Sequence, residues 1–156
     1  KKYIEKDEVD LTKIKINNKI LHQSKLVNYF KEETSSKIIT RDLKDILKKI
    51  KKDKKYFFSK KDVILVEALK SDGIKIPEKY NSLYEINDSE MPADIQVLIN
   101  NEDLGVAMLR IVEVIGQDEL KDIDADTIYF IISTLNQLNI DPIRNKILLK
   151  VLPLKV

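Results

Sequence analysis

The sequence predicts an all-α protein of antiparallel helical hairpins, forming a compact bundle or a short helical-repeat-like stack behind an extended N-terminal arm. Three observations lead there. Apolar residues recur at helical spacing in segment after segment, most clearly Leu43, Ile46, Leu47 and Ile50 at i, i+3, i+4 and i+7. Residues that open or close helices stand at the ends of those segments, Pro92 and Pro142 in first turns and Gly73 and Gly116 after last ones. The period-two alternation Lys13-Ile14-Lys15-Ile16 has no second strand-like run to pair with.

Residues 1–17 read as the arm and 18–156 as the helical domain. A first helix is expected after Asn17-Asn18, running to about Glu33, with Ile20, Val27 and Phe30 near one stripe and Thr34-Ser35-Ser36 breaking the pattern. Thr40 reads as the N-cap of the second, whose apolar face is the Leu43 to Ile50 quartet. Ser59-Lys60-Lys61-Asp62, a variant of the capping box, opens a third helix through Val63, Ile64, Val66 and Leu69, and Gly73 closes it. Residues 74–91, with Pro77, Asn81, Asn87 and Asp88, read as an irregular connection and a candidate sub-boundary. Pro92 then opens a short helix to about Asn100. Leu104, Met108, Ile111, Val112 and Ile115 make the next, ended by Gly116. Asp124 caps a helix of Ile128, Ile131, Ile132, Leu135 and Leu138, and Asp141-Pro142 starts a last one through Ile147, Leu148 and Val151. One faint internal echo joins the halves: Leu69, Gly73, Ile74 and Pro77 resemble Leu135, Asn139, Ile140 and Pro142, without the signature of a repeat family.

Composition removes whole classes of chemistry. The chain has 156 residues, 43% hydrophobic and 35% charged, and no stretch approaches the roughly 20 uncharged apolar residues of a membrane-spanning helix. With no Cys there are no disulfides or thiolate zinc sites, a single His22 provides no poly-histidine metal site, and three Gly provide no phosphate-cradling loop. No cofactor is expected. Of the 28 basic residues only Arg41, Arg110 and Arg144 are arginine, a bias that looks like an A+T-rich coding sequence. The chain begins at Lys1 without a Met, and Lys1 to Asp10 has no apolar core like that of a signal peptide, so it reads as a processed product or an excised fragment, and both cytoplasmic and exported locations fit. Charge is polarised: residues 1–79 hold 22 basic and 13 acidic side chains, residues 80–156 hold 6 and 13, within an overall +2.

Candidate sites are few. Residues 44–61 carry nine lysines, two aspartates and the trio Tyr56-Phe57-Phe58. Lysines neutralise phosphates and aromatics stack on bases, so Lys48, Lys51, Lys52, Lys55 and Tyr56 are the candidate nucleic-acid-binding residues. The same lysines also lie where any amphipathic helix puts charge, with Phe57 and Phe58 then expected in the core. Asp122, Asp124 and Asp126 open like a calcium loop, but Thr127 stands where Gly is needed and Ser133 where Glu is, so helix capping is the preferred reading. His22 reads as a surface or half-buried histidine, Arg110 and Glu113 as a structural ion pair, and Glu67 as a helix carboxylate without an obvious partner. Asn87-Asp88-Ser89 fits the N-glycosylation pattern, which has meaning only in a secreted eukaryotic chain.

The residues favour a non-catalytic helical scaffold or interaction module whose partner is another protein. Nucleic-acid binding through the lysine-rich segment is the alternative. A third reading, a hydrolase working through carboxylates alone, rests on Glu85, Glu90 and Glu102 in or beside loops.

Overall fold

A computed structural model of the chain describes residues 16–31, 34–84, 103, 105–106, 109 and 123–152. Among them every regular element is helical. Four α-helices, α1 (Ser36–Lys51), α2 (Lys60–Ser71), α3 (Ala125–Gln137) and α4 (Asp141–Val151), stand with three 3₁₀ helices at Leu21–Gln23, Lys25–Lys31 and Glu78–Leu83. The arm before residue 16, most of the two helices expected between Pro92 and Gly116, the Arg110–Glu113 pair, the 87–89 pattern, Asp122 and the three candidate glutamates lie outside the described residues.

Where the first helix was expected, the chain makes two short 3₁₀ segments with a break at Ser24. The cause is competition for backbone donors. The N–H of His22, the first that would reach an i−4 carbonyl in a helix starting after Asn18, goes instead to the Asp62 carboxylate at 3.0 Å, and the first-turn N–H of Leu21 goes to the Tyr56 hydroxyl at 3.0 Å. The Ser24 hydroxyl also donates to the Leu21 carbonyl at 2.6 Å, a local bond that rivals helix propagation.

α1 begins five residues earlier than Thr40 suggests. Ser35 is its N-cap, accepting from the Ile38 N–H at 3.3 Å, while the Thr40 hydroxyl bonds back to the Ser36 carbonyl. The polar run read as a break is therefore the cap itself. The expected face, Leu43, Ile46, Leu47 and Ile50, is buried. Phe58 is buried with it, but Phe57 is 48% exposed, because neighbours in an extended segment point to opposite sides. α2 opens with the expected capping box: Ser59 accepts from the Asp62 N–H, and the Asp62 side chain accepts from the Ser59 N–H. Glu67 finds a partner one turn on, its carboxylate 3.6 Å from the Lys70 ammonium.

The internal echo has a physical meaning. After α2, Gly73 takes φ +87°, the Ile74 N–H reaches the Leu69 carbonyl at 3.0 Å and the Gly73 N–H reaches that of Lys70 at 2.9 Å. After α3, Asn139 takes φ +55°, with Ile140 bonded to Leu135 at 3.0 Å and Asn139 to Asn136 at 3.2 Å. Both are Schellman terminations, and the matching residues are those the motif requires: an αL residue followed by an apolar one. A Cβ at Gly73 meets nothing within 4 Å. Gly73→Ala therefore carries only the backbone cost of the left-handed conformation, and a loss of about 1–2 kcal/mol is expected in urea unfolding.

A single apolar cluster joins the elements, drawing Phe30 from the second 3₁₀ helix, Leu47 from α1, Leu65 from α2, Leu135 from α3 and Leu148 from α4. Full burial of such a side chain stabilises by about 1.5–3 kcal/mol. α2 packs on α3, α3 on α4, and α4 on the second 3₁₀ helix. The main neighbours of α1 are the three 3₁₀ helices rather than α2, so the segment 21–31 takes the place that a simple α1–α2 hairpin would give to α2.

Candidate functional site

Three groups of polar side chains stand out, two buried and one on the surface. The first is built on Asp62, 1% exposed in the first turn of α2. Its Oδ1 accepts from the His22 backbone N–H at 3.0 Å and from His22 Nδ1 at 2.7 Å. Its Oδ2 accepts from the Tyr56 hydroxyl at 2.7 Å and the Ser59 N–H at 3.0 Å. Four bonds fill the capacity of a carboxylate. Burial by itself raises the Asp62 pKa, but the bonds from His22, Tyr56 and Ser59 outweigh it and hold the carboxyl below the usual aspartate range. The carboxylate thus stays ionised, and the proton shared with the ring sits on His22 Nδ1.

His22 is buried, against the surface or half-buried position expected for it, because this carboxylate replaces the hydration it gives up. Ser59 Oγ lies 3.4 Å from the same Nδ1. In a nucleophile relay the base uses one ring nitrogen for the orienting carboxylate and the other for the nucleophile. Ser59 and Asp62 share one nitrogen here, so the trio is a clamp rather than a relay. It fastens the segment around residues 21–22 and the α1–α2 loop to the start of α2.

The second group surrounds Arg144, wholly buried in α4. Each of its five N–H donors is used. Nη1 and Nη2 grip the two Asp72 oxygens at 2.9 and 2.8 Å, Nη1 also reaches Asn136 Oδ1 at 3.1 Å, and Nε and Nη2 share Asn145 Oδ1 at 3.1 and 2.9 Å. The Tyr29 hydroxyl donates to Asp72 at 2.9 Å, and the guanidinium lies 5.9 Å from the centre of the Phe30 ring. One cation thereby ties the ends of α2 and α3 to α4 and the second 3₁₀ helix.

Both groups hold tyrosines protonated. Burial, then the bond to Asp72, pushes the Tyr29 phenol up to about 12. Burial raises Tyr56 further than the Leu21 N–H on its oxygen lowers it, and the bond to Asp62 adds to the rise. A folded-state pKa above the unfolded value means stability present below about pH 10 and lost as the pH climbs through the folded value. Native protein at pH 11 should therefore show about 1.5–2 fewer phenolates, by absorbance near 295 nm, than the urea-unfolded chain with its six tyrosines.

The third group is the outer side of α1 and the loop after it. Lys48, Lys51, Lys52 and Lys55 are exposed, as are Lys37, Arg41 and Lys44 before them. The Lys51 ammonium turns back to the Lys79 carbonyl and lies 5.5 Å from the Tyr80 ring centre. Tyr56 departs from its candidate role as a base-stacking residue: its hydroxyl is bonded on both sides within the Asp62 clamp. Phe57 is the exposed aromatic of the trio. Lys60 is drawn the other way, 3.2 Å from Asp126 and 4.8 Å from the Tyr129 ring centre, fastening α2 to α3.

Asp124 caps α3, accepting from the Thr127 N–H at 2.8 Å and its hydroxyl at 3.0 Å, in line with the capping reading. Among the described residues no three His, Asp or Glu side chains are gathered around a metal position, and no helix is long and apolar enough to cross a membrane. Compared with known proteins, the chain matches no family model, no curated sequence and no solved structure.

Proposed function

We propose that the chain is a non-catalytic helical interaction module that works through charge, its basic α1 face holding an anionic partner. The observation that carries the reading is a division of labour among polar groups. His22, Asp62, Tyr56, Arg144 and Asp72, the residues best suited to chemistry, are spent on joining helices. What remains on the described surface of α1 is a row of exposed cations, of which Lys37, Lys44, Lys48 and Lys52 make no ion pair among the described residues. An acidic protein surface and the phosphates of a nucleic acid are the two partner chemistries it suits.

Affinity capture from a lysate of the source organism tests this, run at low and high salt, with and without nuclease. Lys44→Glu/Lys48→Glu is expected to abolish capture. A control with the same change in net charge, Lys75→Glu/Lys146→Glu, is expected to retain it. Equal capture by the two variants overturns the reading.

A further inference from the structure

The exposed cations of α1 are ordered. Lys37, Arg41, Lys44, Lys48 and Lys52 follow one another at i, i+4, i+7, i+11 and i+15, directly opposite the buried Leu43–Leu47–Ile50 face. Lys52 keeps helical angles as the C-cap, so the row is continuous. At 1.5 Å per residue it is about 22 Å long, with a cation about every 5–6 Å. One carboxylate stands at its edge, Asp45 at i+4 from Arg41 and i−3 from Lys48, while Asp42 lies further round the same flank, paired with Lys25 at 3.3 Å and within 3.7 Å of Arg41, so the five cations outweigh a single bordering acid. Among the described residues Lys37, Lys44, Lys48 and Lys52 make no ion pair within the chain.

The row also lacks what a protein partner requires. Protein interfaces centre on desolvated apolar or aromatic anchors and are depleted in lysine. Among the described residues of α1 the exposed large apolar side chain is Ile38, near its first turn on the flank that also carries Asp42 and Asp45, and no apolar residue stands among the five cations. A phosphate backbone needs only point charges at a workable spacing. One strand of a duplex presents a phosphate about every 3.4 Å along its axis, so 22 Å faces about six of them with five cations. Base reading is not provided for: lysine dominates where bidentate arginine is needed, and α1 is held along its whole apolar side. Among the described residues there is no single-strand stacking platform beside the row either, since Phe58 is buried and Tyr56 is locked, leaving Phe57 as the exposed ring of the trio.

We infer that the α1 cation row is a docking surface for the phosphate backbone of double-stranded nucleic acid, engaged without reading sequence. This rests on the charge-driven reading of the module and names its partner.

The test is fluorescence anisotropy of a labelled DNA duplex of about 20 base pairs, titrated with the full chain at about 50 and 200 mM NaCl. Five phosphate contacts give a log–log salt slope of about −4.5, an affinity loss of about 500-fold between the two salts. Lys44→Gln/Lys48→Gln, exposed positions where glutamine suits a helix as well as lysine does, is expected to make that slope shallower by about 2. Lys75→Gln/Lys146→Gln, equal in charge change, leaves it unaltered. A single strand of the same length binds about tenfold or more weakly.

No duplex binding at the lower salt, equal slopes for the two variants, or a single strand binding as tightly as the duplex each overturns the inference. If the duplex fails while capture by the wild-type face brings down a nuclease-resistant acidic protein, the inference falls and the module reading stands. If the α1 substitutions alter neither assay, both fall.

Discussion

Asp72→Ala lowers the unfolding free energy by about 3–5 kcal/mol, the cost of leaving a buried charge without its partner. The expectation follows from the burial of Arg144 and from the pairing of both its terminal nitrogens with the two Asp72 oxygens at 2.8–2.9 Å. The Asn136 and Asn145 oxygens still accept hydrogen bonds in the variant but bring no negative charge, and Asp141 stands at 3.4 Å with half of its side chain in solvent. Arg144→Met is the informative comparison. It keeps most of the volume and removes the desolvated cation, so its cost should be smaller, and Asp72→Ala added to it should cost little more. The double-mutant cycle, read by urea unfolding at 222 nm, should return a coupling of about 2–3 kcal/mol. A cycle additive to within about 0.5 kcal/mol would mean that the pair does not organise the junction of α2, α3 and α4.

Asp62→Asn should be nearly as damaging, by about 3 kcal/mol, although it is almost isosteric. An amide has one accepting oxygen, and its NH₂ must face two of the donors now held by the carboxylate: His22 Nδ1 and backbone N–H on one side, the Tyr56 hydroxyl and Ser59 N–H on the other. The penalty depends on pH with a definite sign. Asp62 has a folded-state pKa below its unfolded value of about 3.9, so its contribution is present above that value and lost as the pH falls through the folded one. The stability gap between wild type and Asp62→Asn should therefore be full near pH 6 and narrow on approaching pH 3. A gap constant across that range would show that the carboxylate's charge is not what holds the clamp.

The legible part of this fold is the part written in short spacings. The buried face of α1, the Ser59–Asp62 capping box, the Asp124 cap and the two αL terminations each involve residues within about five positions of one another, where bonding geometry is fixed by the helix itself. The errors cluster where a distant partner claims a local group. Thirty-five and forty residues separate Leu21 and His22 from the Tyr56 and Asp62 that take their N–H groups, and no periodicity in residues 18–33 records that competition.

The candidate site divides in the same way. The lysines were visible as a run, and their exposure follows from the amphipathic pattern of α1. That Tyr56 is withdrawn from the surface while Phe57 remains on it was not visible, because it depends on which side of an extended loop meets Asp62. Arg144 is the extreme case. By sequence it is one of three arginines and would be assigned to the surface, and only the meeting of Asp72, Asn136 and Asn145 around it makes burial affordable.

The sequence by itself determined the all-helical class, the Ser59–Asp62 and Asp124 helix starts, the Gly73 helix end and the basic character of α1, since each depends on contacts within a few turns of one helix. Only the tertiary structure decided which charges lie inside, which aromatic faces solvent and which segment packs against α1. A buried ion is stable solely when partners from other elements converge on it, and that convergence is a property of the folded chain as a whole.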